Sequence, residues 1–261
     1  MNLNPIEKWF KIRIEEKYRL AGIQFVYINK FGISTYVHPE KLFDIIETSV
    51  SCDAEPMLES LESKIDNVEI VLDVGANIGV VTAWFAKRAK FVHSFEPERS
   101  NAEFMRRNLR LNNISNVHIH EVAVGKTAGQ ADFYVRESFG HHGLQKKHIT
   151  KISEVRKVDI ITLDEFCSKN KIDEVSILKI DTEGGELDVL TGFKRFLSSK
   201  KVKMIIFEHA PVLTGYDRES RLEVFKYLNS FGYVVHNLDH RIVDEDTMSV
   251  VSQGDFYATI P

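Results

Sequence analysis

Cysteine is scarce: Cys52 and Cys167 stand far apart in 261 residues, with no metal-ligand or redox spacing between them. That excludes a disulfide scaffold and fits a reducing compartment. No apolar run approaches the roughly 18 residues that cross a bilayer. The first ten residues, Met1 to Phe10, lack the continuous apolar stretch of a secretory leader, so the cytoplasm is the expected location. The chain also lacks a basic excess, with 34 Lys and Arg against 38 Asp and Glu for a net charge of −4. A nucleic-acid partner held mainly by neutralised phosphates is therefore not expected. There is no internal repeat and no low-complexity tract.

What remains is an ordinary globular composition, 43% hydrophobic and 28% charged, in a chain long enough for one full α/β core. Residues 1–64 differ from the rest and read as an extension. Pro5–Leu20 carries a helical apolar stripe. Gln24–Ile28 and Ile33–Val37 read as a hairpin turning at Gly32. Lys41–Lys64 is mostly helical in pattern, with Pro56 starting a second helix. Residues 65–261 form the expected main domain, in which strand and helix alternate with short links, the mark of a parallel sheet covered on both faces. Strands are expected at Ile70–Val74, Phe91–Phe95, Val117–Val124, Ile177–Ile180 and Val202–Phe207. Helices are expected at Val80–Arg88, Ser100–Leu111, Glu186–Leu197 and Glu219–Phe231. Ala131–Val135 and Val158–Thr162 read as additional strands. Tyr233–Asn237 and Phe256–Ile260, joined by a turn-rich link, would close one edge antiparallel.

The strongest motif is Ile70–Gly79 running straight into Val80–Ala86. A buried strand ends, Gly75 and Gly79 turn the chain, and a helix opens its free amides to a ligand. Asn77 occupies the place of the middle glycine of a dinucleotide fingerprint, and Asp73 precedes the turn. A carboxylate there disfavours a pyrophosphate and favours an α-amino cation and a sulfonium. Glu96, 17 residues after Gly79 and fixed by Pro97, is placed to hold ribose hydroxyls, although a strand-end acid can equally cap a helix. At Ile119–Gly125, Val122 and Val124 either flank an adenine ring or are simply core, and Glu121 or a backbone amide would reach the ring's amine.

Ser176–Leu190 delivers Asp181 and Glu183 to a Gly-Gly turn with Glu186 in the next helix. Helix capping accounts for these acids, but not for Lys179 inside an apolar strand, which costs free energy unless paired. A Lys179–acid pair is expected there. Glu208 and His209 arrive from the adjacent strand end.

Taken as an ordered set, Val71–Gly79, Phe95–Pro97, Glu121–Gly125, Thr162–Phe166, Leu178–Gly184 and Phe207–His209 resemble the FkbM family of S-adenosylmethionine-dependent methyltransferases. The resemblance covers roughly residues 55 to 236. It implies a Rossmann-like class I methyltransferase fold, with a seven-stranded, mostly parallel sheet and helices on both faces. It also implies O-methylation of a sugar, glycan or glycolipid, or natural-product hydroxyl. Carried over by position, Asp73, Gly75, Ala76, Asn77 and Gly79 would surround the methionine part of S-adenosylmethionine. Glu96 with Pro97 would hold the ribose, and Val122 and Ala123 would border adenine. Asp181 would lie beside the transferring methyl. Glu55-Pro56 fits the family's acid before proline ahead of the glycine loop.

Methyl transfer to oxygen needs alignment and removal of a proton. Asp181 and His209 are the candidate bases, with Glu208 or Glu183 orienting them. A divalent metal on these acids is chemically reasonable, with metal-free catalysis preferred. His141, His142 and His148 could meet sugar hydroxyls, and Lys146, Lys147 and Lys151 an anionic acceptor, though solvated surface explains both groups equally well. Competing readings are an RNA or protein methyltransferase on the same fold, or a nucleotide-binding protein without catalysis. The acceptor's identity and the oligomeric state have no signature in these residues.

Overall fold

The computed structural model describes residues 25–37, 54–136, 144, 152–209, 218–251 and 253–261. The stripe at Pro5–Leu20, the first part of Lys41–Lys64, and the histidines and lysines of the 136–148 loop with Lys151 lie outside the described residues.

The expected hairpin is present as β1 (Phe25–Ile28) and β2 (Ser34–Val37). Helix α1 (Glu55–Leu61) carries Pro56 in its first turn and buries Met57, Leu58 and Leu61. There follow β3 (Val68–Val74), α2 (Val80–Ala86), β4 (Ala89–Phe95), α3 (Arg99–Leu111) and β5 (Val117–His120). Next come β6 (Ala123–Val124), β7 (Gly129–Arg136), β8 (Ile152–Ile161) and α4 (Leu163–Asn170). The chain continues through β9 (Val175–Ile180), α5 (Glu186–Thr191), α6 (Lys194–Ser198) and β10 (Val202–His209). It ends with α7 (Arg218–Ser230), β11 (Val234–His236), α8 (Glu245–Val250) and β12 (Gly254–Thr259).

The main sheet has seven strands in the order β11-β12-β10-β9-β3-β4-β5. β10, β9, β3, β4 and β5 run parallel, and β12 lies antiparallel between β10 and β11, as the late strand pair suggested. Both faces are covered. Met57, Trp84, Phe85, Met105 and Leu109 pack on one, and Phe166, Leu190, Phe196, Phe225 and Met248 on the other. β9 is buried at every position because helices lie above and below it, which is why its sequence is nearly continuous in apolar residues. Strand order reverses between β3 and β9, and a crevice at the carboxyl ends of such a pair is where open α/β sheets take ligands. Among the described residues no helix is long and apolar enough to cross a membrane.

Four expectations are corrected. Val117–Val124 is two strands: β4 ends at Phe95, the last rung is Glu96 N–H to the His120 carbonyl, and the chain then crosses to a second sheet. That sheet, ordered β6-β8-β7, also absorbs the two additional strands as an antiparallel pair. Glu186–Leu197 is two helices broken at Gly192, where a Cβ would stand 2.1 Å from the Gly125 carbonyl oxygen. Thr162, expected to end the strand from Val158, instead caps α4 with its hydroxyl, and the turn-rich link contains α8, capped by Asp244.

The hairpin is tied to α3 by side-chain amides. Ser34 N–H donates to Asn112 Oδ1 at 2.8 Å and Tyr36 N–H to Asn108 Oδ1 at 2.9 Å, both acceptors on or just after that helix.

Candidate active site

The turn after β3 is built by close approach. Gly75 has φ 76°, and a Cβ there would lie 1.7 Å from the Asp181 carbonyl oxygen, so only glycine lets the two loops touch. Gly79 has φ 83°, and its Cβ would meet Met105 Cγ at 2.3 Å. Both glycines are therefore explained by the chain's own packing, in addition to any ligand they admit. The loop is held from two sides. Gly75 and Ala76 donate to the Phe95 carbonyl, and Asn108, fully buried on α3, donates from Nδ2 to the Ile78 carbonyl at 2.8 Å.

Asp73 lies beneath this loop rather than at its surface. It has no exposed area, and its Oδ2 accepts from the Thr82 hydroxyl at 2.6 Å. Among the described residues its Oδ1 has no hydrogen-bond partner, but it stands 3.6 Å from Lys179 Nζ. Burial pushes the Asp73 carboxyl up, and the Lys179 ammonium and the Thr82 hydroxyl oppose that rise. The expected pairing of Lys179 is thus present, and it is double: Nζ also donates to Asp181 Oδ2 at 3.0 Å. Although burial opposes it, the net effect of these two acids holds the lysine above its ordinary value.

Glu96 is also buried. Its Oε2 accepts from Asn77 N–H and its Oε1 from Glu98 N–H, both at 2.8 Å. The carboxylate therefore joins the end of β4 to the glycine loop, and Pro97 is half-buried beside it. Burial pushes Glu96 up to about 7, against the hydrogen bonds from these two amides and from Asn101. The helix-capping role that competed for Glu96 belongs to Glu98, whose Oε1 accepts from Ser100 N–H at the start of α3.

The expected adenine border is mixed. Glu121 is exposed and pairs with Arg106, Val122 is half-buried, and Ala123 is buried against Phe133 and Val158 in the second sheet. Glu55 is buried at the start of α1, and its Oε1 has no hydrogen-bond partner among the described residues.

On the reaction side, Asp181 follows directly on β9 and Glu208 stands beside it on β10, one step past the Ile180–Phe207 register pair. Asp181, Glu183 and Glu208 bring one carboxylate oxygen each within 4.8 Å of one another, a donor set suited to a divalent cation. Burial, and then Asp181 and Glu183, push Glu208 up to about 8, and it shares a hydrogen bond with Asp181. Asp255, the register partner of Glu208 on β12, adds a further acid that sequence reading missed. Its signal was hidden because the antiparallel pairing of β12 with β10 is long-range. Glu186 closes the loop from below, its Oε1 accepting from Thr182 N–H, the Thr182 hydroxyl and Gly184 N–H.

His209 does not join this group. Side chains alternate along a strand, and its ring lies edge-on to Phe256 at 6.1 Å, on the face that carries Phe207. It is 5% exposed.

A 2-O-methyltransferase, NoeI, of Sinorhizobium fredii is 26% identical over 157 residues, which is 54% of this chain and 63% of that protein. Methyltransferase 1 of Beauveria bassiana is 26% identical over 142 residues, 47% of this chain and 57% of that protein. The matched stretches thus span less than two thirds of either relative. Among solved structures, Methyltransferase FkbM from Methylobacillus flagellatus superposes with a TM-score of 0.50 at 14% identity, covering 98% of this chain and 71% of that one. That likeness establishes the class I methyltransferase fold. Residues 73–235 match the family described as Methyltransferase FkbM domain, and because that match takes in more than half of the chain, including both loops of the crevice, the protein belongs to the FkbM methyltransferase family.

Proposed function

We propose that the protein is an S-adenosylmethionine-dependent O-methyltransferase acting on a hydroxyl of a sugar, glycan or glycolipid, or natural-product acceptor. The observation that carries this reading is the carboxylate pair Asp181–Glu208, set at the switch point and in backbone contact with the glycine loop. The chemistry of the donor set fits the cofactor. Glu96 would accept from the ribose hydroxyls, with Pro97 fixing its strand end. Gly75, Ala76, Asn77 and Gly79 would line the methionine part, with Asp73 and Glu55 as buried negative charge favouring its cationic groups. Glu121, Val122 and Ala123 would border adenine. When bound, S-adenosylmethionine supplies an electrophilic methyl group.

The chain's own part is to take the proton from the acceptor hydroxyl. Asp181, whose side chain is 39% exposed, is the proposed base. Lys179 holds one of its oxygens. Glu208, still protonated at neutral pH with its value near 8, donates a hydrogen bond to it. His209, on the opposite face, is left as a supporting residue. A polyphosphate acceptor is disfavoured, since Asp181, Glu183, Glu208 and Asp255 face the crevice together, and this weighs against an RNA substrate.

The test is calorimetric binding of S-adenosylmethionine followed by methyl transfer to a panel of hydroxylated acceptors. Asp181→Asn is expected to lower kcat by about 10²- to 10⁴-fold while cofactor affinity survives. Full turnover in that variant would refute the assignment. The same carboxylates support a second reading, a divalent cation binding acceptor oxygens. Activity lost with EDTA and restored by magnesium would establish it.

A further inference from the structure

We propose that Arg156 is a positioning residue for the Glu96 carboxylate, acting through Glu98, so that the second sheet sets the strength of the cofactor site. The inference rests on the reading of Glu96 as the ribose ligand. Arg156 lies on β8, outside the main sheet. Its Nη1 donates to Glu98 Oε1 at 2.9 Å and to Oε2 at 3.2 Å, while Nε and Nη2 each hold a Glu154 oxygen at 2.7 Å.

Glu98 is only 2% exposed. A carboxylate buried to that degree needs both hydrogen bonds and a counter-charge. Ser100 supplies the hydrogen bonds, from its N–H and its hydroxyl, and Arg156 supplies the charge.

The next link is backbone. The Glu98 N–H that reaches Glu96 Oε1 belongs to the residue whose side chain Arg156 grips, and the other Glu96 oxygen takes the Asn77 N–H. A continuous set of contacts thus runs Arg156–Glu98–Glu96–Asn77, from the second sheet into the glycine loop. Without Arg156, the Glu98 charge is left buried and uncompensated. It must swing outward, dragging its amide off Glu96, or stay and repel the Glu96 charge. The groups facing the Glu96 carboxylate are Glu98 on its own segment, the Asn101 side chain of α3 and the Asn77 amide, while the His120 carbonyl of β5 takes the Glu96 backbone N–H. Glu98 is the acid among them, and it favours the protonated form of Glu96.

The experiment titrates the full chain with S-adenosylhomocysteine by calorimetry at about pH 6, 7.5 and 9, with melting temperatures recorded without ligand. Arg156→Met is expected to weaken binding about tenfold near neutral pH, the worth of one lost charge-assisted contact. The deficit should shrink toward pH 9, where Glu96 is ionised in both proteins. Arg156→Lys, which keeps the charge, should recover much of the loss. Unchanged affinity in Arg156→Met, or a loss equal at every pH, overturns the proposal, because a purely structural role would not follow the titration of Glu96.

If Arg156→Met does not fold, Glu98→Gln serves. It keeps a capping oxygen and removes the like charge, so it should bind at least as well as the parent with a flatter pH response. A tenfold loss there also overturns the proposal. Glu96→Gln separates the two readings. Normal affinity in that variant sinks the ribose assignment itself. Weakened binding there beside a normal Arg156→Met sinks only the relay.

Discussion

Glu96→Gln in the ligand-free protein isolates one buried charge. In the folded state Glu96 holds its proton until about pH 7, whereas an unfolded chain releases it near the ordinary glutamate value. Between those two values the folded state binds more protons than the unfolded one, so stability falls as pH rises and levels off above about 7. Glutamine has no such dependence. Integrating the two titrations, the parent should lose about 2.5 kcal/mol relative to Glu96→Gln between pH 5 and pH 9. For a chain of this size that is roughly 5–10 °C of melting temperature. The variant also loses one amide acceptor, an offset of about 1 kcal/mol that is the same at every pH. The other raised carboxyls, Asp73, Glu186 and Glu208, are present in both proteins and cancel. Calorimetric melting of both proteins across this range reads the difference directly. Melting temperatures that stay parallel from pH 5 to pH 9 would refute the claim that a charge on Glu96 is costly.

Lys179→Met leaves Asp73 and Asp181 without their shared cation and should cost about 3–5 kcal/mol, seen as a lower denaturation midpoint, together with lost activity. A variant as stable and active as the parent would deny the pairing any role. Gly75→Ala places a methyl into the Asp181 carbonyl and demands a left-handed alanine, so a loss of more than about 2 kcal/mol is expected, and normal melting with normal cofactor affinity would contradict it.

The parallel core of the fold was legible because each strand there is a local event. The apolar runs ending at Val74, Phe95 and Ile180 each stop at a polar turn, and period and length suffice to place them. Misread were the points where distant backbone intervenes. Val117–Val124 is continuous in pattern but loses its neighbour where β4 stops, and the helix after Glu186 breaks because Gly125 presses on Gly192. In the site, Lys179 announced itself by being a charge in a buried strand; an acid partner was expected, and the structure gives it two, Asp73 and Asp181. Glu98 and Arg156 gave no such signal. A buried acid two residues past Glu96 looks like any helix cap until the strand carrying Arg156 folds over it. His209 and Glu208 were adjacent in sequence, and only the sheet's alternation decides which of the two faces the crevice.

The contact between Gly75 and Asp181 has a mechanical consequence. Asp181 N–H also donates to the Val74 carbonyl at 3.0 Å, so the two loops share the last rung of the β3–β9 ladder. On the proposed reading, the seat of the methyl donor and the destination of the acceptor's proton are then two ends of one stiff part, and neither can shift without unzipping central sheet. Such a part behaves as a fixed jaw. Variation in what it grips has to come from pieces that hang on other strands, which lets a family keep one reaction while changing its substrates.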